Sequence, residues 1–144
     1  MATLEALGFD SLEQVFREIS EIPWSVTEDA LDAMAETAMP KIRGSGESMG
    51  VRDPESEVHI LDKLKRNKAK QTDSGGYETV TFSGTRTRHG TRTRNAEIAF
   101  INEYGKRGQP ARPFMARALD ANQDAILGAA EQIVGDWIEN EWNK

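Results

Sequence analysis

Glycine and proline divide the middle of this chain into short segments. Two adjacent glycines in residues 72–76 can adopt positive φ angles, so they predict a turn that joins strands at residues 68–71 and 77–82 in a β-hairpin. Gly84 and Gly90 begin and divide the segment that follows, and glycine inside a strand pattern marks a turn or an excursion. The middle of the chain is therefore predicted to form short antiparallel strands.

Helical periodicity flanks this middle region. Apolar residues recur at helical spacing in residues 9–21, and a second amphipathic helix is predicted from Thr27 toward Ile42, with Pro40 kinking or ending it. A long helix is predicted from Pro113 almost to the last residue. The chain therefore predicts an α+β fold, in which a small antiparallel β-sheet packs against N-terminal helices and a long C-terminal helix.

Three shorter segments complete the prediction. Residues 44–57 combine glycine, proline and acidic residues, which is typical of a mobile loop. Residues 58–64 are apolar enough to pack and predict one helical turn that leads into a strand. Residues 96–104 predict a further strand, with Ile98 and Phe100 in the core.

Charge is distributed unevenly along the chain. Its 144 residues are 38% hydrophobic and 29% charged, which suits a single domain of residues 1–144 with one core. The net charge is -6, but residues 1–60 carry 4 basic and 13 acidic side chains, residues 61–94 carry 9 and 3, and residues 95–144 carry 5 and 8. This asymmetry indicates oriented contacts, either head to tail between copies or to a polyanion.

Four of the nine basic side chains of residues 61–94 are arginines in the sequence GTRTRHGTRTR of residues 84–94. Threonine favours strands, and its alternation with arginine predicts arginines on one strand face. The two glycines favour a protruding hairpin arm or loop. Four residues are candidates for contact with an assembly partner or with DNA in a channel: Arg86, Arg88, Arg92 and Arg94.

Three roles of this run are open from its sequence. These roles are a solvated loop without a partner, a contact with the acidic face of a neighbouring subunit, and a contact with nucleic-acid phosphates. No aromatic residue interrupts the run, so base stacking is not expected and DNA contact would be to the backbone. The corresponding alternative function is a DNA-binding or regulatory module that uses residues 84–94.

The sequence lacks the patterns on which most enzymes and metal sites depend. It has no cysteine, which excludes disulfides and thiolate chemistry, and no P-loop, dinucleotide fingerprint, HExxH or EF-hand pattern. Its two histidines, His59 and His89, occupy a packed segment and the basic run. We expect no enzymatic activity, no metal and no cofactor. The sequence also predicts neither a membrane-spanning helix nor an N-terminal secretory signal.

A compact motif, INEYGKRGQPARPFMARAL, occupies residues 101–119. Its prolines stiffen the turn, Arg112 is expected to bond Glu103 or a backbone carbonyl, and Phe114 begins the apolar face that joins helix to sheet. The motif resembles the C-terminal signature of the tail-completion, or head–tail joining, proteins of long-tailed bacteriophages and prophages. The signature residues are Glu103, Tyr104, Gly105, Pro110, Ala111, Arg112, Pro113 and Phe114.

The resemblance implies a non-enzymatic virion protein that forms a ring at the head–tail interface or the tail end. The first partner it implies is the chain itself, in a homo-oligomeric ring for which a hexamer is one option, and a chain that stays monomeric until assembly is left open. The other partners are the phage connector or adaptor and tail-tube proteins, and DNA contacted without sequence specificity. It implies a location in the virion neck or tail, and in the host cytoplasm during assembly. Trp142 is the tryptophan most expected to serve an interface.

Overall fold

The computed structural model describes residues 22–52 and 59–144, except for the side chain of Arg88. The helix predicted for residues 9–21 lies outside the described residues, as do residues 53–57 of the predicted loop. In the described part a long helix comes first, short antiparallel strands follow, and helices complete the chain. This arrangement confirms the predicted α+β class.

The first described helix, α1, spans Trp24–Ser48 and is longer at both ends than the sequence predicts. Pro40 lies exposed inside α1 and does not end it. The helix continues through residues 44–48, so the predicted loop is wrong there. Gly46 gives the reason, because it is buried and a Cβ atom at this position would lie 2.5 Å from Cδ2 of Leu61. Close packing favours the helix where local propensity favours a loop.

An interrupted antiparallel hairpin follows α1. A 3₁₀ helix at Ile60–Lys63 leads directly into its first strand, as predicted for residues 58–64. Its strands are β1 (Leu64–Arg66), β2 (Lys70–Thr72), β3 (Gly75–Tyr77) and β4 (Val80–Phe82). β2 pairs with β3 around a turn at Asp73 and Ser74, within the predicted turn of residues 72–76, but the two glycines belong to β3 instead of the turn. β4 pairs with β1 rather than with residues 68–71. Between the two ladders three residues oppose two, so the hairpin is interrupted by a bulge.

The basic run forms a second hairpin, of β5 (Thr85–Arg88) and β6 (Thr91–Arg94), which confirms the predicted hairpin. His89 and Gly90 form its two-residue turn, with φ angles of 51° and 78°. Positive φ at both turn positions is the geometry that matches the right-handed twist of paired strands. We name this hairpin, residues 84–94, the basic arm.

The next element is a helix, α2 (Asn95–Tyr104), so the strand predicted for residues 96–104 is wrong. Phe100, predicted to lie in the core, is 60% exposed. The buried positions follow helical spacing and are mostly polar: Asn95, Ala99, Asn102 and Glu103. The apolar residues of this segment therefore do not identify its buried face, because that face of α2 makes hydrogen bonds as well as apolar contacts.

The long C-terminal helix of the prediction is divided in two. α3 spans Phe114–Ala121, α4 spans Gln123–Trp142, and Asn122 lies between them. The Nδ2 of Asn122 donates a hydrogen bond to the carbonyl oxygen of Ala118 at 2.7 Å, and the φ of Asn122, −126°, departs from helical geometry. Pro113 immediately precedes α3 instead of occupying its first position. The long helix α4 packs along α1.

The hydrophobic core lies where α1, the interrupted hairpin, α2 and α3 meet. Leu61 and Phe114 are its most buried large side chains, each 0% exposed. The ring of Phe114 meets the ring of Phe82 edge to face, with centroids 6.0 Å apart. The first residue of α3 thus joins this helix to β4.

A cluster of charged side chains joins α1 to the interrupted hairpin. Arg66 of β1 lies 2.7 Å from Asp32, 2.9 Å from Glu36 and 3.7 Å from Glu78. The side chain of Glu78 is 2% exposed, and neither oxygen has a hydrogen-bond partner among the described residues. Burial, reinforced by the carboxylate of Asp32, raises the pKa of Glu78 to about 7.

We expect Phe114→Ala to lower the free energy of unfolding by about 3–5 kcal/mol, because it removes a fully buried ring and leaves a cavity. Leu127→Ala is the control, since Leu127 is 51% exposed on α4 and its truncation should cost less than about 1 kcal/mol. Urea unfolding at constant pH measures both. Equal losses would contradict the assignment of Phe114 to the core.

Glu78→Gln should stabilise the protein at pH 8, by about 1–2 kcal/mol. The pKa of Glu78 in the folded state, about 7, exceeds its ordinary value of 4.5, so folding favours the protonated carboxyl. Its contribution is therefore fully present below about pH 4.5 and is lost as the pH rises through 7. Thermal melts from pH 5 to pH 8 should show a smaller decline in Tm for Glu78→Gln than for the wild type.

Glu36→Gln is the matched control for this change. It removes the same charge beside Arg66, but Glu36 accepts a hydrogen bond from Arg66 at 2.9 Å and is largely exposed. Its replacement should lower the Tm slightly or leave it unchanged at pH 8. If Glu36→Gln stabilises the protein as much as Glu78→Gln does, then relief of the overall negative charge, and not the burial of Glu78, is responsible.

Candidate assembly surface

The basic arm is fixed at its base by Asn95, the first residue of α2. The Nδ2 of Asn95 donates to the carbonyl of Ser83 at 2.8 Å, and its backbone N–H donates to the carbonyl of Gly84 at 3.0 Å. The backbone N–H of Ser83 in turn donates to the carbonyl of Lys63 at 2.8 Å. Asn95 is 1% exposed, so these bonds are shielded from water. The base of the arm is therefore tied to both α2 and the interrupted hairpin.

The register of the arm places every arginine opposite a threonine. Each strand carries its arginines on one face, as predicted, and because directly opposite residues share a face, the arginines of β5 and those of β6 lie on opposite faces of the hairpin. On one face Arg86 is half-buried, and on the other Arg92 and Arg94 are exposed. The Nε of Arg92 donates to Oγ1 of Thr85 across the strands at 3.1 Å. Arg88 occupies the last paired position before the turn.

Glu103 is the central residue of the signature. Its two carboxylate oxygens accept hydrogen bonds from the backbone N–H groups of Met115 and Ala116, each at 2.9 Å. These are first-turn N–H groups of α3, which no group within the helix can accept, so the C-terminal turn of α2 caps the N-terminus of α3. Glu103 is 6% exposed. A negative charge at a helix N-terminus is favoured by the helix dipole as well.

The turn between α2 and α3 requires a glycine at position 105. Gly105 has a φ of 77°, in the left-handed region. A Cβ atom there would lie 2.8 Å from the backbone nitrogen of Ala111 and 2.9 Å from the carbonyl oxygen of Gln109. Lys106 and Gln109 pair through two backbone hydrogen bonds, of 3.0 and 2.9 Å, which close the turn. Both the conformation and the close backbone approach therefore exclude larger residues.

The other signature residues divide into those that join elements and those that face solvent. The backbone N–H of Arg112 donates to the carbonyl of Asn102, and its Nη1 donates to the carbonyl of Gly50 at 2.9 Å. Arg112 thus bonds a backbone carbonyl, the second of the two predicted options, while Glu103 caps α3. Phe114 is buried, as described above. Four signature residues are exposed: Arg112 itself, Tyr104, Pro110 and Ala111.

A groove lies between the basic arm, α2, the turn of residues 105–109 and the segment after α1. Its volume is about 550 Å³, within the range of ligand and peptide sites. The apolar part of its wall includes Ile98 and Ile101 of α2. None of the described residues that line it is acidic, and four are basic: Arg52, Arg86, Lys106 and Arg112. We name it the basic groove.

One wall of the basic groove is an ion-pair cluster. Arg52 lies 2.7 Å from Glu47 of α1 and 3.1 Å from Asp62 of the 3₁₀ helix. The hydrogen bond to Glu47 raises the pKa of Arg52, and the hydrogen bond from Arg52 lowers the pKa of Asp62. By contrast, neither Lys106 nor Arg112 forms an ion pair with any residue in the described ranges. Positive charge at the turn is therefore available to an external anion.

Several large apolar side chains face outward in the described part of the chain. Trp142 is 74% exposed at the last turn of α4. Phe100 and Tyr104, four residues apart on α2, stack with ring centroids 4.7 Å apart and are both exposed. Exposed aromatic residues of this size are enriched in interfaces. The interface role of Trp142 stays a prediction.

Within residues 22–52 and 59–144, no group of three or more His, Asp or Glu side chains could hold a metal ion. His59 is half-buried before the 3₁₀ helix, and His89 is exposed at the tip of the basic arm. No helix in these ranges combines the length and apolar character needed to cross a membrane. The expected absence of enzymatic activity and of a cofactor stays a prediction.

Sequence reasoning identified the basic arm and the signature but missed the residues that connect them. Asn95 directly follows the last arginine of the run, and a polar residue between a strand and a helix is a usable signal for a capping or anchoring role. Lys106 lies in a turn, where no local sequence pattern indicates a functional role for it. The basic groove combines residues from distant segments, so no local pattern predicts it.

Comparisons of this chain with protein-family models, with curated proteins and with solved structures found no match.

Glu103→Ala should lower the free energy of unfolding by about 1–2 kcal/mol, because two N–H groups of α3 lose their acceptor. Glu103→Gln should cost about half as much, since one side-chain oxygen can still accept. Glu131→Ala, at an exposed position of α4, is the control and should change stability by less than about 0.5 kcal/mol. Urea unfolding at pH 7 measures the series. A loss for Glu103→Ala no larger than that of the control would refute the capping role.

Proposed function

We propose that this chain is a non-enzymatic structural protein of a bacteriophage or prophage virion that forms a ring at the head–tail interface or the tail end. The observation that carries the proposal is that the residues resembling the tail-completion signature act as one joint. Glu103 caps α3, Gly105 permits the turn, and residues 110–114 lead into the buried Phe114. The motif thus has a physical reason to occur as a unit, which supports the resemblance.

The basic arm supports an assembly role because its charges contribute little to the fold. Within the described residues β5 and β6 pair only with each other, and Arg92 and Arg94 face solvent. Exposed charges of this kind are worth about 0–1 kcal/mol to stability. A rigid hairpin that is anchored at its base and positively charged on its outer face is suited to contact an acidic neighbour or DNA.

The charge distribution gives the contact a direction. Residues 1–60 and 95–144 are acidic overall, and residues 61–94 are basic. If the acidic surface of one copy meets the basic arm of the next, the same contact repeats around a closed circle, as heterologous interfaces do in rings. The central opening of such a ring would pass DNA between the portal-connector complex and the tail tube. Arginines that line it would attract phosphates without reading sequence.

The test replaces the arginines Arg86, Arg88, Arg92 and Arg94 with serine. We expect the Tm to change by only about 2 °C, because these charges are not part of the core, whereas the joining of purified heads to tails should be impaired. The matched control replaces four exposed lysines of residues 61–94 with serine and should join heads to tails normally. These lysines are Lys63, Lys65, Lys68 and Lys70. Infectious particles counted after joining give the measurement. If the arginine variant joins heads to tails normally, the arm is a solvated hairpin without an assembly role.

Two further assays separate the partners of the arm. A joining defect that also occurs with empty heads indicates a protein contact, whereas a defect seen only with DNA-filled heads indicates the channel. The alternative function, a DNA-binding or regulatory module, requires the isolated chain to bind duplex DNA with a Kd below about 1 µM and with strong salt dependence. Weak binding that is indifferent to sequence would count against this alternative.

A further inference from the structure

We infer that the basic groove is the receiving half of a head-to-tail contact between copies of this chain, and that it binds the face of α4 that carries Glu139 and Trp142. The inference rests on the proposed ring and names the surfaces that would form it. A carboxylate and an indole ring from one copy would enter a groove of the next copy that is basic at its turn and aliphatic along α2.

The chemistry of the groove selects such an occupant. Lys106 and Arg112 both line the cavity, and neither forms an ion pair with a described residue. Ile98 and Ile101 form an aliphatic surface beside them. A site that combines unpaired cations with an apolar wall favours a ligand with an acidic group next to a large apolar group.

The last two turns of α4 present this combination. Trp142 is 74% exposed, so the protein leaves most of a large apolar side chain in water. Glu139 is also exposed, lies three residues before Trp142 and forms no ion pair with any residue of the described ranges. Residues three apart are neighbours on a helix surface, so the carboxylate and the indole lie side by side. Buried tryptophans are frequent hot spots of protein interfaces.

The groove is less suited to nucleic acid than to a protein segment. None of the described residues that line it is aromatic, so it offers no platform for stacked bases. The cavity, about 550 Å³, is large enough for a tryptophan side chain together with a carboxylate.

The two surfaces belong to different parts of the fold. The groove lies between α2 and the basic arm, whereas α4 packs along α1. A contact between two different surfaces of the same chain is heterologous, and it repeats until a ring closes. This is the geometry that the proposed function requires.

Charge exchange tests the contact in the full-length chain. Lys106→Glu and Glu139→Lys should each weaken self-association about tenfold or more, and the double variant should restore it, because each contact then pairs the exchanged charges. Trp142→Ala should weaken it as strongly, without rescue by either charge change. Lys65→Glu and Asp120→Lys reverse exposed charges elsewhere and should behave like the wild type. Sedimentation velocity over a concentration series, with native mass spectrometry of the complexes, gives the readout.

Each outcome decides the inference separately from the proposed function. Rescue in the double variant supports it. If both single variants form rings as the wild type does, the inferred contact is wrong, but the proposed ring remains. The same holds if the wild-type chain stays monomeric up to about 1 mM and yet completes particles normally. In parallel, fluorescence anisotropy with a labelled DNA duplex measures phosphate binding. If Lys106→Glu abolishes DNA binding and leaves self-association intact, the groove is a phosphate site and the inference is wrong.

Discussion

The described structure depends on the carboxylate of Glu103 at the N-terminus of α3. Two backbone N–H groups of α3 donate to it at 2.9 Å, and α3 is also connected to α2 through a glycine-dependent turn and through the hydrogen bond from the backbone N–H of Arg112 to the carbonyl of Asn102. The bonds set the position of α3 relative to α2 and thereby bring Phe114 against Phe82. Because Glu103 is 6% exposed, water competes little for its carboxylate, and loss of these bonds would leave two N–H groups in the first turn of α3 without their acceptor.

α2 connects this joint to the surface proposed for assembly. Glu103 fixes its C-terminal turn to α3, and Asn95 fixes its first residue to the base of the basic arm. Between them Ile98 and Ile101 face the basic groove, so one ten-residue helix positions the arm, the groove wall and the joint. Buried polar anchors at both ends give this helix one defined orientation, which apolar packing alone specifies less strictly. A contact surface that must repeat identically in every copy benefits from this rigidity.

How much the sequence predicts depends on which interaction determines each element. The basic arm is predictable because its two turn residues determine the hairpin locally. His89 tolerates the positive φ of the first turn position, and Gly90 occupies the second. α2 is not, because its buried face carries Asn102 and Glu103 while its exposed face carries Phe100, which reverses the usual pattern. The helical extension of α1 through Gly46 depends on Leu61, which lies 15 residues further along the chain. The basic groove likewise requires the tertiary arrangement of four segments, so only its separate residues could be named from sequence.

The separation between folding and assembly follows from where the chain places its charges and rings. The core uses aliphatic residues and the edge-to-face pair of Phe82 and Phe114, whereas Trp142 and the outer arginines of the arm remain exposed. A large exposed ring favours burial by roughly 25 cal/mol per Å² of apolar surface, yet nothing in the described part of the chain covers Trp142. Within an isolated copy, the described residues therefore leave Trp142 of α4 largely exposed and form no ion pair with Lys106 or Arg112. The head-to-tail contact proposed above would satisfy both at once, and this is the physical reason to propose that the chain functions as an assembly.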